Sequence, residues 1–241
     1  MNANPTLTII AVLCLGSASA VLAQNKQGGL KERVLAQAQA MSLDDYAFTR
    51  TVRTEQTSGG KAEQKVTVEK FDPTRPAEGR WALVSVDGAA PSEDALKSFQ
   101  ADSAKRRVPG YARLAGYFGT PATASTDSRG RTLLHFATLP KDTLKVMDSD
   151  VSQSATAEAS VTEENGEPFV EQVRITGGPT RLKLLFKLEH FESITRYRLG
   201  PDGKPIPIEQ TSDISGSGMG REGHVHSVAT YSDYRAVSRR R

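Results

Sequence analysis

The sequence predicts an α+β protein: a large, curved antiparallel β-sheet of about nine strands, shaped like half a barrel, with two or three helices packed on it. Three observations lead to this class. Apolar and polar residues alternate over most of the chain, which is the period of a β-strand. Turn signals such as Gly59-Gly60 and Asp87-Gly88 separate these segments at hairpin spacing. Helical spacing is confined to two stretches, so few crossover connections between parallel strands are available.

The amino-terminal residues 1–23 have the pattern of a secretory signal peptide. An apolar stretch from Leu7 to Leu15 is followed by small residues, and cleavage fits after Ala20 or after Ala23. The stretch is shorter than the roughly 20 apolar residues that a membrane-spanning helix needs. We therefore expect residues 24–241 to form a single β-rich domain that is periplasmic or secreted and is not an integral membrane protein. An uncleaved amino-terminal segment is the alternative.

Cysteine content and charge exclude several classes of function. The single cysteine, Cys14, lies inside the apolar stretch, so the processed chain would have no disulfide, thiolate nucleophile or cysteine-based zinc site. No cofactor is predicted. The 31 basic and 28 acidic residues give a formal net charge of +3, which is too even for a nucleic-acid-binding protein. Basic residues cluster in the short carboxy-terminal tail, residues 236–241.

Two segments are predicted to be helical. The first, about residues 30–41, carries apolar residues at helical spacing. The second is an insertion over about residues 92–118, where Ser92 can cap a helix whose Leu96 and Phe99 face inward. A second short helix in this insertion carries Tyr111, Leu114 and Phe118.

The second half of the chain is predicted to be almost entirely strands and turns. Residues 155–161 alternate strictly, and Leu182, Leu184, Phe186 and Leu188 fall on one face of a strand. The apolar residues then move to odd positions, which predicts a bulge or turn between Glu189 and Ser193. The segment from His224 to Arg235 is expected to be the last strand, at an edge of the sheet.

His224 and His226 are the candidate metal ligands, because residues two apart in a strand point the same way. A zinc site needs a further ligand, and neither His135 nor His190 is placed beside them by any sequence pattern. Neither G-x-S-x-G nor H-E-x-x-H spacing occurs, so we do not expect an enzyme. A metal-dependent secreted enzyme using both histidines remains an alternative.

Four apolar side chains are candidates for lining a ligand cavity on the sheet. They are Trp81, Phe136, Leu184 and Phe186. The competing interpretation is that they pack against the helices as ordinary core residues, which would make the protein a structural or interaction module with a filled core.

Two segments carry a resemblance to known families. The sequence YRLGPDGKPIPIEQTSDISG (197–216), followed by HVHSVATYSDYR (224–235), is similar to the closing strands of the LolA/LppX group of periplasmic lipoprotein carriers. That resemblance implies a half-open barrel whose helices cover an apolar cavity for acyl chains, with a lipid or a lipoprotein as partner. The segment RWALVSVDGAAPSEDALKSF (80–99) also resembles uncharacterised exported proteobacterial proteins, and no known function comes with that likeness. The leading hypothesis is therefore a non-enzymatic envelope protein that binds lipid.

Overall fold

The computed structural model covers most of the chain. It describes residues 17–42, 44–102, 106, 108–118, 121–146, 148–164, 166–183, 186–218 and 221–237. Most of the predicted signal peptide, the candidate residue Leu184 and most of the predicted carboxy-terminal tail lie outside these residues.

Three helices lie in the described residues: α1 (Ser17–Ala40), α2 (Glu93–Ala101) and α3 (Leu114–Tyr117). Helix α1 covers residues 30–40 of the predicted 30–41 segment and extends beyond it towards the amino terminus. As predicted, the Ser92 hydroxyl caps α2, accepting a hydrogen bond from the Ala95 amide at 3.2 Å. None of the helices in the described ranges combines the length and the apolar character needed to cross a bilayer.

The remaining elements are strands. They are β1 (Tyr46–Ser58), β2 (Lys61–Phe71), β3 (Trp81–Val86), β4 (Thr123–Thr126), β5 (Thr132–Phe136), β6 (Lys145–Val146), β7 (Ser149–Asp150), β8 (Ala155–Glu164), β9 (Glu167–Gly177), β10 (Thr180–Lys183), β11 (Phe186–Leu199), β12 (Pro205–Gly218) and β13 (Arg221–Ala236). In the described part of the chain, eleven of them form one open antiparallel sheet in the order β3-β2-β1-β13-β12-β11-β9-β8-β5-β4, with β10 paired to β11. Strands β6 and β7 form a separate ribbon.

This architecture confirms the predicted α+β class, with more strands in the sheet than expected. One expectation is wrong: β13 is not an edge strand. It pairs with β1 on one side and β12 on the other, and the edges are β3 and β4. The end of the chain thus returns to the middle of the sheet and joins its two halves.

The predicted bulge in β11 is confirmed. The pairing of β11 with β12 shifts between Leu188 and His190, so Glu189 is the extra residue. Beside it, a Cβ atom at Gly216 would lie 2.6 Å from the Lys187 carbonyl oxygen, so this position requires glycine. The pairing of β12 with β13 continues through this glycine-rich segment as far as Gly218 and Arg221.

One face of the sheet carries two apolar cores. The large core joins α1 and α3 to β5, β8, β9 and β11, and the small core joins β1, β2, β3 and β13 to α2. Buried members of the large core include Val34, Ala38, Tyr111, Leu114, Phe118, Leu134, Phe136, Ala157, Ala159, Val173 and Ile175. The small core contains Phe48, Phe71, Trp81, Phe99, Val108, Ala229 and Tyr231.

A polar stripe runs between the two cores on the same face. Successive strands align Val173, Thr195, Gln210, Ala229 and Val52 in one cross-strand row, so the apolar face is interrupted at β11 and β12. The stripe consists of Thr54, Ser193, Thr195, Gln210, Ser212 and Ser227. It separates the half of the sheet that α1 and α3 cover from the half that α2 covers.

Candidate ligand-binding cleft

A cleft of about 450 Å³ lies between α2 and the small-core half of the sheet. We call it the α2 cleft. Its apolar walls come from β1, β3, α2 and β13, and the polar stripe contributes Thr54, Gln210 and Ser227. The apolar lining residues are Val52, Leu83, Val86, Ala95, Phe99 and Ala229.

Helix α2 covers this cleft and is anchored to the small core by one buried side chain. Phe99 is the buried residue of α2, whereas Leu96 is 37% exposed. The expectation that Leu96 faces inward is therefore wrong. Ala95 and Phe99, four residues apart, lie on the side of α2 that faces the cleft. Leu96 is not on that side of this nine-residue helix and falls on its solvent side.

A buried ion cluster forms the polar wall of the cleft. Glu69, whose side chain is 3% exposed, accepts a hydrogen bond from Arg50 Nε at 2.8 Å and one from Arg106 Nη1 at 3.0 Å. Arg50 Nη2 also donates to the same carboxylate. Two guanidinium groups thus share one buried carboxylate, and Asp102 at the end of α2 supplies a second, exposed negative charge near Arg106.

Aromatic rings support both guanidinium groups. Arg50 lies over the Trp81 ring, 4.1 Å from the ring centroid, and Arg106 lies over the Phe99 ring at 3.7 Å. These cation–π contacts offset part of the cost of burying the charges. Trp81 also packs against Phe48 and Phe71, with ring centroids 5.8 and 5.0 Å away. The Trp81 ring therefore lies beneath Arg50 and is itself held in place by the small core.

Two buried donors at the cleft have no acceptor. In the described part of the chain, Arg106 Nε and the Tyr231 hydroxyl are buried, and no acceptor is in place for the proton that either group can donate. Arg50 faces the hydroxyl oxygen and can only donate to it. Burial raises the pKa of Tyr231 to about 12, although the nearby Arg50 acts in the opposite direction. The hydroxyl therefore stays protonated over the physiological range and remains available as a donor.

The structure does not bring the four predicted lining residues together. Trp81 belongs to the small core, and Phe136 belongs to the large core, where it stacks on Phe118 at 5.0 Å. Phe136 also borders an open groove of about 710 Å³ near β4, among exposed charged side chains. Phe186 is half-buried at the start of β11, and Leu184 lies outside the described residues. Their role as ligand-lining residues stays a prediction.

Three of the histidines lie close together on the opposite face of the sheet. Asp213 on β12 accepts hydrogen bonds from His224 Nε2 at 3.0 Å and His226 Nδ1 at 3.2 Å, and His190 Nε2 on β11 lies 3.9 Å from it. No sequence pattern places His190 beside the pair, but β12 lies between β11 and β13, so all three histidines meet at one carboxylate. Among the described residues, no three such groups are arranged to hold a metal ion.

The pKa of Asp213 reflects these contacts. Partial burial raises it, but the hydrogen bonds from His224 and His226 and the nearby His190 outweigh that effect, so the pKa lies below its ordinary value. The ring nitrogens that reach the carboxylate act as donors to it. The cluster is therefore a hydrogen-bonded ionic group on the outer face.

The charged residues of the α2 cleft were missed in the sequence, although one signal was present. Tyr46, Phe48, Arg50 and Val52 share one strand face, so an arginine stands in an otherwise apolar row. A charged residue in such a row predicts a buried partner. Its partner Glu69 could not be recognised, because Val66 and Val68 indicate that the opposite face of β2 is the buried one.

These features define a class: an open antiparallel sheet with helices on one face and a cleft beneath one of them. Two solved structures are similar over most of their length. One is a DUF1329 family protein from Desulfovibrio piger, with 10% identity, coverage of 87% of this chain and 92% of that chain, and a TM-score of 0.38. The other is a LolA superfamily protein from Nitrosomonas europaea, with 14% identity, coverage of 86% and 94%, and a TM-score of 0.33. At these TM-scores, neither likeness carries an argument about function. No family model matches the chain, and no curated protein matches it.

Proposed function

We propose that this protein is a non-enzymatic, exported protein of the cell envelope that binds an acyl chain, either free or attached to a lipoprotein, in the α2 cleft. The observation that carries the proposal is the cleft itself. Its volume of about 450 Å³ falls in the range of roughly 300–1,000 Å³ that is typical of small-molecule sites, and its walls are partly apolar. The signal-peptide pattern of residues 1–23 supports export to the periplasm or beyond.

Burial of apolar surface would provide the affinity. Each methylene group moved from water into the cleft contributes about 0.8 kcal/mol. Because α2 is held mainly through Phe99 and the Phe99–Arg106 contact, the helix can move aside for a chain at low cost. It thus serves as the cover of the site.

The test is ligand binding by the protein purified from a host with membranes. Native mass spectrometry should detect co-purified lipid, and a fluorescent fatty acid should bind with saturation. Ala95→Phe fills the cleft from α2 and should lower the affinity at least tenfold. Leu96→Phe, on the solvent side of the same helix, is the matched control and should leave the affinity unchanged. Absence of both co-purified lipid and uptake of the fluorescent acid would overturn the proposal.

A structural or interaction module is the second candidate, and the packing of the large core favours it. Tyr111, Leu114 and Phe118 are 0–2% exposed and fill the space between the sheet and α1. A protein that used its whole sheet face in this way would bind no acyl chain. The same binding measurements therefore separate the two candidates.

The less favoured alternative, a metal-dependent enzyme, rests on the histidines around Asp213. Metal analysis of the purified protein and of a His224→Ala/His226→Ala variant tests it. We expect the same metal content in both, since the ring nitrogens already donate to Asp213. A metal that is present in the unaltered protein and lost with the two histidines would restore this alternative.

A further inference from the structure

We infer that the α2 cleft binds an acyl ligand through an ionised carboxylate headgroup, held by Arg106 Nε and the Tyr231 hydroxyl. This inference rests on the proposed function, because it concerns the same cleft and names the chemistry of the ligand's polar end.

The charge of the cleft favours an anion. Three cationic side chains and two acidic ones line it: Arg50, Lys65, Arg106, Glu69 and Asp102. The innermost of these, Glu69, already serves two guanidinium groups and also accepts from the Thr67 hydroxyl at 3.5 Å. Its two oxygens are therefore fully engaged. Asp102 also attracts Arg106, and the five charged side chains together leave the cleft with a net charge of +1. A monoanion would balance that charge.

The unpaired donors define where the anion lies. Leaving a buried donor without an acceptor is costly, and buried polar groups in native proteins are rarely left in this state. Tyr231 is 6% exposed and lines the cleft, and its hydroxyl proton has no acceptor, since the nearby Arg50 can only donate. Arg106 Nε is the second such donor in the described chain that lines this cleft. A carboxylate has two oxygens and can accept from both groups.

The sheet register connects the two donors. Tyr231 on β13 is the cross-strand neighbour of Arg50 on β1, and Arg50 is the neighbour of Glu69 on β2. Arg106, which follows α2 in the chain, pairs with the same Glu69 carboxylate. Tyr231, Arg50, Glu69 and Arg106 therefore form one continuous group. Burial lowers the pKa of Arg106, while the Glu69 charge opposes this. A further anion beside Arg106 would restore the stabilisation that burial removes.

The position of this group also suits an acyl carboxylate. It lies beside Phe99, Leu83 and Ala229, so a chain that extends from the headgroup meets apolar walls within the same cleft. A neutral acyl ester of the same length would bury the same methylene groups, but it would offer the two donors only an uncharged carbonyl oxygen and would not compensate the positive charge.

The decisive experiment compares dodecanoate with methyl dodecanoate as competitors of a fluorescent fatty acid at pH 8, with sodium acetate as a third competitor. We expect dodecanoate to bind at least tenfold more tightly than the ester, and acetate to compete only at far higher concentration. Arg106→Gln and Tyr231→Phe should each reduce the preference for the acid severalfold while the affinity for the ester stays the same. Tyr231→Phe keeps the ring in the small core, so it remains informative if Arg106→Gln folds poorly.

Arg196→Gln is the matched control, because Arg196 is an exposed guanidinium that pairs with Glu209 away from the cleft. It should leave the preference unchanged. Equal affinity for acid and ester would overturn the headgroup inference and leave the proposed function standing. Failure of both ligands to bind would instead overturn the proposed function. Acetate competing as well as dodecanoate would show that the site takes a free anion, which also overturns the inference.

Discussion

Replacement of Glu69 by glutamine tests the ion cluster directly. The change removes the one carboxylate that Arg50 and Arg106 share and leaves two guanidinium groups facing a neutral amide. Removing one partner of a buried ion pair costs about 3–5 kcal/mol. Arg50 is 10% exposed at its side chain, but Arg106 is 23% exposed and can recover some hydration. We therefore expect Glu69→Gln to lower the free energy of unfolding by about 3 kcal/mol, the low end of that range.

Urea unfolding followed by circular dichroism measures this change, provided that the denaturant slope stays constant. Glu209→Gln is the control, since its pair with Arg196 is one-third to one-half exposed and should contribute less than about 1 kcal/mol. Adding Arg106→Gln to Glu69→Gln should recover part of the loss, because one uncompensated charge is removed. A loss in Glu69→Gln no larger than that in the control would refute the claim that these charges are buried and coupled.

Three further outcomes follow from the packing and charges. Phe118→Ala should lower the free energy of unfolding by about 3–5 kcal/mol, because Phe118 is fully buried in the large core. Tyr111→Phe should cost about 1–3 kcal/mol, since the hydroxyl accepts from the Val170 amide at 2.8 Å and donates to Gln37 at 2.8 Å. Both are measured by urea unfolding, and a loss below about 0.5 kcal/mol would contradict either assignment. The pKa of Asp213 is lower in the folded protein than in the unfolded chain, so its ionised form adds stability that is lost as the pH falls through the folded value. The stability advantage over Asp213→Asn should thus shrink as the pH falls below the range in which the carboxyl group of the unfolded chain ionises; an advantage that stays undiminished at the acid end of the titration would contradict this sign.

Local patterns predicted several elements correctly because their causes are local. The alternation of Ala155, Ala157, Ala159 and Val161 places all four on the buried face of β8. The change of parity after Leu188 predicts the bulge, because a one-residue insertion is the simplest way to change faces within a strand. The Ser92 cap likewise depends on backbone groups within the same turn.

The order of strands could not be obtained in this way. Alternation within a strand states which residues share a face, but it contains no information about the neighbouring strand. The insertion of β13 between β1 and β12 therefore had no local signal, and neither did the meeting of His190 with His224 across β12. The α2 cleft was missed for the same reason, since Arg50, Glu69 and Arg106 come from three separate segments.

The division of the sheet face into two cores explains how one protein can be both stable and open to a ligand. Helices α1 and α3 cover the large core with fully buried side chains, so that half of the sheet face is closed by packing. The small core is covered by α2 through Phe99, and the polar stripe separates it from the large core. Because Gln210 and Ser193 on the stripe hydrogen-bond at 3.3 Å, this boundary is satisfied without apolar packing across it. Movement of α2 can therefore expose the cleft without disturbing the packing around Phe118, as a cover over a binding site requires.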